Sequence, residues 1–249
     1  MKISVCVDAL WPKIPCGNAA RLAAGCGAEA IEFWGWWDKD LQAVKMACAD
    51  SGLNVAAICT RFISLLDIHS QEAYLQGLKE TIDAARFLGC RTIISQVGNE
   101  LAGIPRKVQR SQLTDGLNKA AEMLSSCDIQ LVIEPLNTRV DHKGYFLWSS
   151  WEAAQIIREV NSPRVKMLYD IYHQQVMEGD ILQHIRESLD CIGHMHCAGV
   201  PGRHSLSESE LNYDYVFRAI EEMGYEGFMG LELFTGKPEE EIKNWCRVQ

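Results

Sequence analysis

Residues 2–18, KISVCVDALWPKIPCGN, contain a strand and the turn after it, and that turn separates two architectures. The apolar run Lys2–Asp8 reads as a first β-strand. A doubly wound open sheet would follow it with a glycine-rich phosphate turn, but VDALWPKIPCGN holds no GxGxxG. Seven more strand candidates follow: AIEFWG from Ala30, NVAAICT from Asn54, RTIISQVG from Arg91, IQLVIEPL from Ile129, VKMLYDIY from Val165, CIGHMHCA from Cys191 and FMGLELF from Phe228. Between them the apolar period lengthens to that of a helix, as in Leu41, Val44 and Cys48, in Leu75, Leu78, Ile82 and Ala85, and in Leu113, Leu117 and Leu124. Gly27, Gly52, Gly89 and Gly224 stand where those helices turn into the next strand, and Ser149 or Ser150 would cap the helix after strand five. Eight alternations of strand and helix predict an α/β fold, a single (β/α)8 barrel spanning residues 1–249.

The composition narrows the classes of function. Hydrophobic residues make up 47% and charged residues 23%, and the net charge is −9. The 24 Lys and Arg are scattered, so no phosphate-backbone footprint is expected and nucleic acid is not an expected partner. A small anionic substrate would need a local basic group instead. The ten cysteines form no CxxC and fall in apolar runs, which reads as small buried hydrophobes in a reducing compartment. No secretion signal precedes the first strand, and no apolar run approaches the ~20 residues of a membrane span. The expectation is a cytoplasmic protein with no membrane partner, and assembly into homo-oligomers is compatible with it.

Chemistry in such a barrel gathers at the C-terminal ends of the strands. There the second half of the chain places Glu134 in LVIEPLNTR, Asp170 in MLYDIYHQQ, His196 in IGHMHCAG and Glu232 in GLELF. Three carboxylates converging in a core would repel, and each alone is costly to bury. A divalent cation removes the difficulty, and mostly oxygen ligation favours Mg²⁺, Mn²⁺ or Co²⁺. His194 shares the strand face of His196 one layer deeper, where a core or supporting role is expected. Trp11, Trp34, Trp36, Trp37 and Tyr172 cluster near strand ends and could wall a pocket. His142 and His204 read as surface loop residues.

The phrases VIEPLNTRVDHKGYFL, LYDIYHQQVMEGD, IGH, PGRH, ELNY and YEGFMGLE resemble, in this order, segments of the hydroxypyruvate isomerases. These are xylose-isomerase-like TIM barrels, related to the ketose 3-epimerases. The resemblance implies that Glu134, Asp170, His196 and Glu232 are metal ligands and that Glu134 and Glu232 transfer protons. It also implies that His173 and Arg203 contact the substrate. Two positions depart. Hydroxypyruvate isomerases usually carry glutamine at the position of His196, where the epimerases carry histidine. The epimerases carry a glutamate six residues after the first ligand, where this chain has Val140 beside Arg139.

The expected activity is interconversion of a 2-hydroxy ketone and aldehyde, on hydroxypyruvate or a related small keto-acid or keto-sugar. One glutamate would remove the C–H proton next to a cation-polarised carbonyl, giving an enediolate. Arg203, or Arg139, would hold a carboxylate or distal hydroxyl, and Trp11 and Trp34 would border the substrate. The alternative is ketose 3-epimerisation. More remote are a metal-dependent nuclease, whose zinc sites need additional histidines on other strands, and a barrel that binds sugar without turning it over.

Overall fold

The computed structural model describes residues 1–246. All eight expected strands form: β1 (Lys2–Cys6), β2 (Ala30–Phe33), β3 (Asn54–Cys59), β4 (Thr92–Ser95), β5 (Gln130–Ile133), β6 (Val165–Asp170), β7 (Ile192–Cys197) and β8 (Phe228–Leu231). They close into a barrel in chain order, each parallel to its neighbours, with Val5 of β1 in register with Leu231 of β8. The helices are α1 (Val7–Leu10), α2 (Cys16–Gly25), α3 (Leu41–Ser51), α4 (Gln71–Leu88), α5 (Arg106–Leu124), α6 (Ser150–Val160), α7 (Ile171–Met177), α8 (Ile181–Ser188), α9 (Tyr213–Glu222) and α10 (Pro238–Cys246).

The strand-to-helix punctuation follows local chemistry. Gly89 closes α4 in the left-handed region at φ 72°, which a Cβ would strain. Ser149 caps α6, its side chain accepting from the Glu152 N–H at 3.3 Å. The short α1, which the sequence did not announce, turns the chain immediately after β1.

Period two divides each strand between two environments. Ile133, Tyr169, Met195, Cys197 and Leu231 join the large core that also takes the inner faces of the helices, such as Leu78, Ile82, Leu113 and Leu117. The alternate residues face the barrel axis. Ala57, Cys59, Ile94, Val132 and Leu168 fill one side of the interior as a small apolar cluster under Trp34. The other side of the interior is polar, and Glu32, Glu134, Asp170, His194, His196 and Glu232 are all buried.

All ten cysteines are free, and nine are buried, consistent with their reading as small hydrophobes. Among the described residues, no helix is long and apolar enough to cross a membrane.

Candidate active site

Each side chain of the polar group is aimed by its strand end. Pro135 cannot donate to a sheet ladder, and β5 stops at Ile133, so Glu134 lies at the mouth. The Glu134 N–H donates to Ser95 O at 3.3 Å, and its carbonyl accepts the Tyr145 hydroxyl at 3.1 Å. Asp170 ends β6 and caps α7: Oδ1 accepts the N–H groups of Tyr172 at 2.8 Å and His173 at 3.3 Å. That bond turns its other oxygen, Oδ2, toward the mouth. His196 is in register with Asp170 across β6 and β7. Glu232 follows β8 directly, its N–H donating to Cys197 O at 3.2 Å.

One ligating atom from each of Glu134, Asp170, His196 and Glu232 lies within 4.8 Å of the others, and all four residues are buried. Glu134 Oε1 and Asp170 Oδ2 have no hydrogen-bond partner despite complete burial. Orphaned carboxylate oxygens in a core are costly, and two of them facing one point with an imidazole suit a hard divalent cation. The residues therefore fit such an ion.

The electrostatics of the cation-free site are asymmetric. Burial, reinforced by the charge of Glu232, pushes Glu134 up to about 8, against the opposing pull of His196. Glu232 is also buried, yet Arg203 and His196 hold it well below the usual carboxylate range. Its Oε1 accepts the Trp34 indole N–H at 2.5 Å, and its Oε2 accepts Arg203 Nη2 at 2.5 Å. Burial raises Asp170 in spite of Arg203 and His196. Burial alone would lower His196, but the carboxylates of Glu32 and Glu232 raise it well above its ordinary value.

His173 is the counter-case. Burial, then Arg203, keeps it well below its ordinary value and therefore neutral. Its Nδ1 accepts from the Asn137 side-chain amide at 2.8 Å and from the Asn137 N–H at 3.3 Å. The proton must sit on Nε2, which has no partner and lies 3.6 Å from Asp170 Oδ2. An unspent N–H donor thus faces the same point as the orphaned oxygens.

A cavity of about 560 Å³ opens above this group, lined among others by Trp34, Phe62, Gln96, Glu134, His173, Arg203 and Glu232. Trp34 and Arg203 stand where a pocket wall and a loop arginine were expected. Arg203 reaches in because it adopts φ 56° in the turn after β7, with Nε donating to Glu232 O at 3.2 Å. Two expected residues lie elsewhere. Arg139 is exposed on the turn after Thr138 and is not part of the cavity wall. Trp11 is buried in the outer core, because α1 carries it away from the end of β1. His142, expected at the surface, lines the cavity, its ring centroid 5.3 Å from that of His173. Sequence reasoning missed Glu32, whose Oε2 lies 2.8 Å from His194 Nε2 and 3.2 Å from His196 Nε2. The signal was available: Glu32 is the one charged residue in the four-residue strand AIEF.

Comparison with known proteins agrees with this architecture. The family model described as xylose isomerase-like TIM barrel matches residues 20–247. A putative hydroxypyruvate isomerase of Danio rerio is 32% identical over 263 residues, covering 98% of this chain and 95% of that protein. The hydroxypyruvate isomerase of Escherichia coli is 34% identical over 219 residues, covering 84% of each. Among solved structures, one named AP endonuclease, family 2, from Brucella melitensis superposes with a TM-score of 0.93 at 27% identity, covering 100% of this chain and 99% of that one. With a closed eight-stranded barrel, strand-end carboxylates and relatives above 30% identity along most of its length, the chain belongs to the hydroxypyruvate isomerase family of xylose-isomerase-like TIM barrels and is an isomerase.

Proposed function

We propose that the protein is a divalent-cation-dependent isomerase of 2-hydroxy carbonyl compounds, acting on hydroxypyruvate or a related small keto-acid or keto-sugar. The observation that carries this reading is the buried group Glu134, Asp170, His196 and Glu232 with two orphaned carboxylate oxygens. These four residues would hold Mg²⁺, Mn²⁺ or Co²⁺, which when bound would polarise the substrate carbonyl and acidify the neighbouring C–H.

The remaining chemistry belongs to the chain. One of the two glutamates takes the proton from the hydroxyl-bearing carbon, and the C–H electron pair moves to make the C–C double bond of an enediolate. Return of that proton to the former carbonyl carbon, with transfer of the neighbouring hydroxyl proton to the former carbonyl oxygen, exchanges ketone for aldehyde without any change in atoms. His173 offers its free Nε2–H to a substrate oxygen on which negative charge develops. Trp34 and Arg203 hold Glu232 in one orientation through both carboxylate oxygens. The apolar parts of Trp34, Phe62 and Leu136 on the cavity wall limit water access to the enediolate.

Epimerisation of a ketose at the carbon beside its carbonyl is the second reading. The cavity volume favours it, since about 560 Å³ lies in the range that encloses drug-sized ligands and leaves room for a longer hydroxylated chain. Incubation with Mn²⁺ in D₂O separates the readings. Isomerisation of hydroxypyruvate puts deuterium on the former carbonyl carbon, whereas epimerisation puts it on the inverted centre of a ketose. Absence of deuterium from every such substrate would overturn both.

A further inference from the structure

His196 is gripped from two sides. Its Nδ1 faces the carboxylate group, 3.0 Å from Glu232 Oε2 and 3.9 Å from Glu134 Oε1. Its Nε2 faces inward, 3.2 Å from Oε2 of Glu32. Glu32 stands on β2, separated from β7 by β1 and β8 around the barrel, so the contact crosses the interior.

The crossing needs a gap in the wall of side chains, and Gly230 supplies it. Gly230 is the register partner of His196 on β8. A Cβ at Gly230 would lie 2.0 Å from Glu32 Oε1 and 2.6 Å from His196 Cδ2. Two further donors pin the carboxylate: the Ser4 hydroxyl reaches Oε1 at 3.1 Å, and His194 Nε2 reaches Oε2 at 2.8 Å. Glu32, His194 and His196 could themselves be read as a second cation site. Glu32 hydrogen-bonds both rings and Ser4, so this trio is satisfied without an ion, whereas the strand-end group leaves two carboxylate oxygens orphaned.

A neutral imidazole has one N–H and one lone pair, and only the lone-pair nitrogen can bind a cation. Ionised carboxylates only accept, and in the cation-free structure they face both nitrogens, Glu232 at Nδ1 and Glu32 at Nε2. A cation that takes the place of the hydrogen at Nδ1 therefore leaves the ring's hydrogen on Nε2, opposite Glu32. We propose that Glu32 is a positioning residue that fixes His196 as the Nε2–H tautomer and so presents Nδ1 to the cation. Ser4 and His194 hold Glu32 in place, and Gly230 leaves it room. The inference rests on the four-residue cation site proposed above. Carboxylates placed behind ligating imidazoles elsewhere act in this way, orienting the ring and strengthening it as a ligand.

The test begins with Mn²⁺ titrations of the full chain, free Mn²⁺ being followed by electron paramagnetic resonance. Wild type should bind one ion, and Glu134→Gln should bind it far more weakly. Failure of wild type to bind would overturn the cation site itself. Glu32→Ala should weaken Mn²⁺ by about 10–100-fold, while Glu32→Gln, which keeps an acceptor opposite Nε2, should recover most of that loss. Unchanged affinity in a folded Glu32→Ala protein, with wild type and Glu134→Gln behaving as stated, would overturn the positioning role alone. A second measurement needs no variant at Glu32. In Mg²⁺-loaded wild type, long-range ¹H–¹⁵N correlations of the His196 ring, assigned by its loss in His196→Gln, should show Nε2 protonated and Nδ1 bare. The opposite tautomer would overturn the proposal.

Discussion

At the scale of single residues, the site is built on unequal carboxylates. Without a cation Glu134 keeps its proton up to about pH 8, whereas Glu232 is ionised throughout the neutral range. Binding a cation requires Glu134 to ionise, so Mn²⁺ affinity should rise steadily from pH 6 to about pH 8 and then level. Calorimetry in buffers of different ionisation enthalpy should record protons released on binding below pH 8 and fewer above it. Stability of the cation-free protein should run the other way. A carboxyl whose pKa is raised by folding is favourable while protonated, and that contribution is lost as pH climbs from the ordinary glutamate value through about 8. The thermal midpoint should therefore fall across that window in wild type and fall less in Glu134→Gln. Catalytically, Glu134→Gln and Glu232→Gln should each lose ~10²–10⁴-fold in kcat, measured on cation-saturated protein. The four residues of the proposed cation site were legible as a converging group because each interrupts an apolar run at a strand end. Glu32 also interrupts one, but in mid-strand, where sequence offers no sign that β2 and β7 meet across the interior. Arginines were the harder choice: Arg139 and Arg203 both sit in loops, and only the left-handed backbone at Arg203 folds its side chain over Glu232.

At the scale of elements, the strands were readable and the loops between them were not. Strand positions follow from short apolar runs, and period two then assigns each residue to the helix layer or the barrel interior. Loop conformation follows from contacts that only the closed barrel creates. The segment after β4 shows this. Leu65 N–H donates to Val97 O at 2.9 Å, and Phe146 N–H donates to Gly98 O at 3.1 Å, so the loops after β3, β4 and β5 are latched to one another. Gly98 makes the latch possible with φ 110°, and a Cβ there would fall 2.3 Å from Ser64 Oγ. All three loops contribute to the cavity wall, through Ser64, Gly98 and His142. Gly98→Ala should destabilise the protein by roughly 1–3 kcal/mol through backbone strain alone, read by denaturant unfolding. It should also raise KM more than it lowers kcat, because the latch shapes the cavity and touches no carboxylate of the cation site. An effect on kcat alone would place the latch outside substrate binding. The place of His142 on the cavity wall belongs to the same class of late consequence: its loop is folded inward by Asn137, whose side-chain oxygen accepts from the N–H groups of Val140 at 3.1 Å and Asp141 at 3.0 Å.

At the scale of the whole molecule, closure of the barrel is what forces the charges together. Glu134, Asp170, His196 and Glu232 come from four consecutive strand ends, and none can withdraw without opening the hydrogen-bonded ring. An open sheet could splay such residues apart, but a closed cylinder cannot. In the cation-free state their mutual repulsion is met by the partly buried Arg203, by His196 and by the proton on Glu134. The chain as a whole, at net charge −9, supplies no compensating positive field. A cation that binds the closed barrel and not the unfolded chain should therefore raise stability by mass action. At a hundredfold excess over its dissociation constant the gain is about 2.7 kcal/mol, or roughly 5–10 °C in a chain of this size. Differential scanning fluorimetry with Mn²⁺, against the same protein in EDTA, measures it. The shift should shrink sharply in Asp170→Asn, which keeps the cap on α7 but gives up the orphaned anionic oxygen. A shift of equal size in Asp170→Asn would mean that the ion stabilises the protein from somewhere other than these four strand ends.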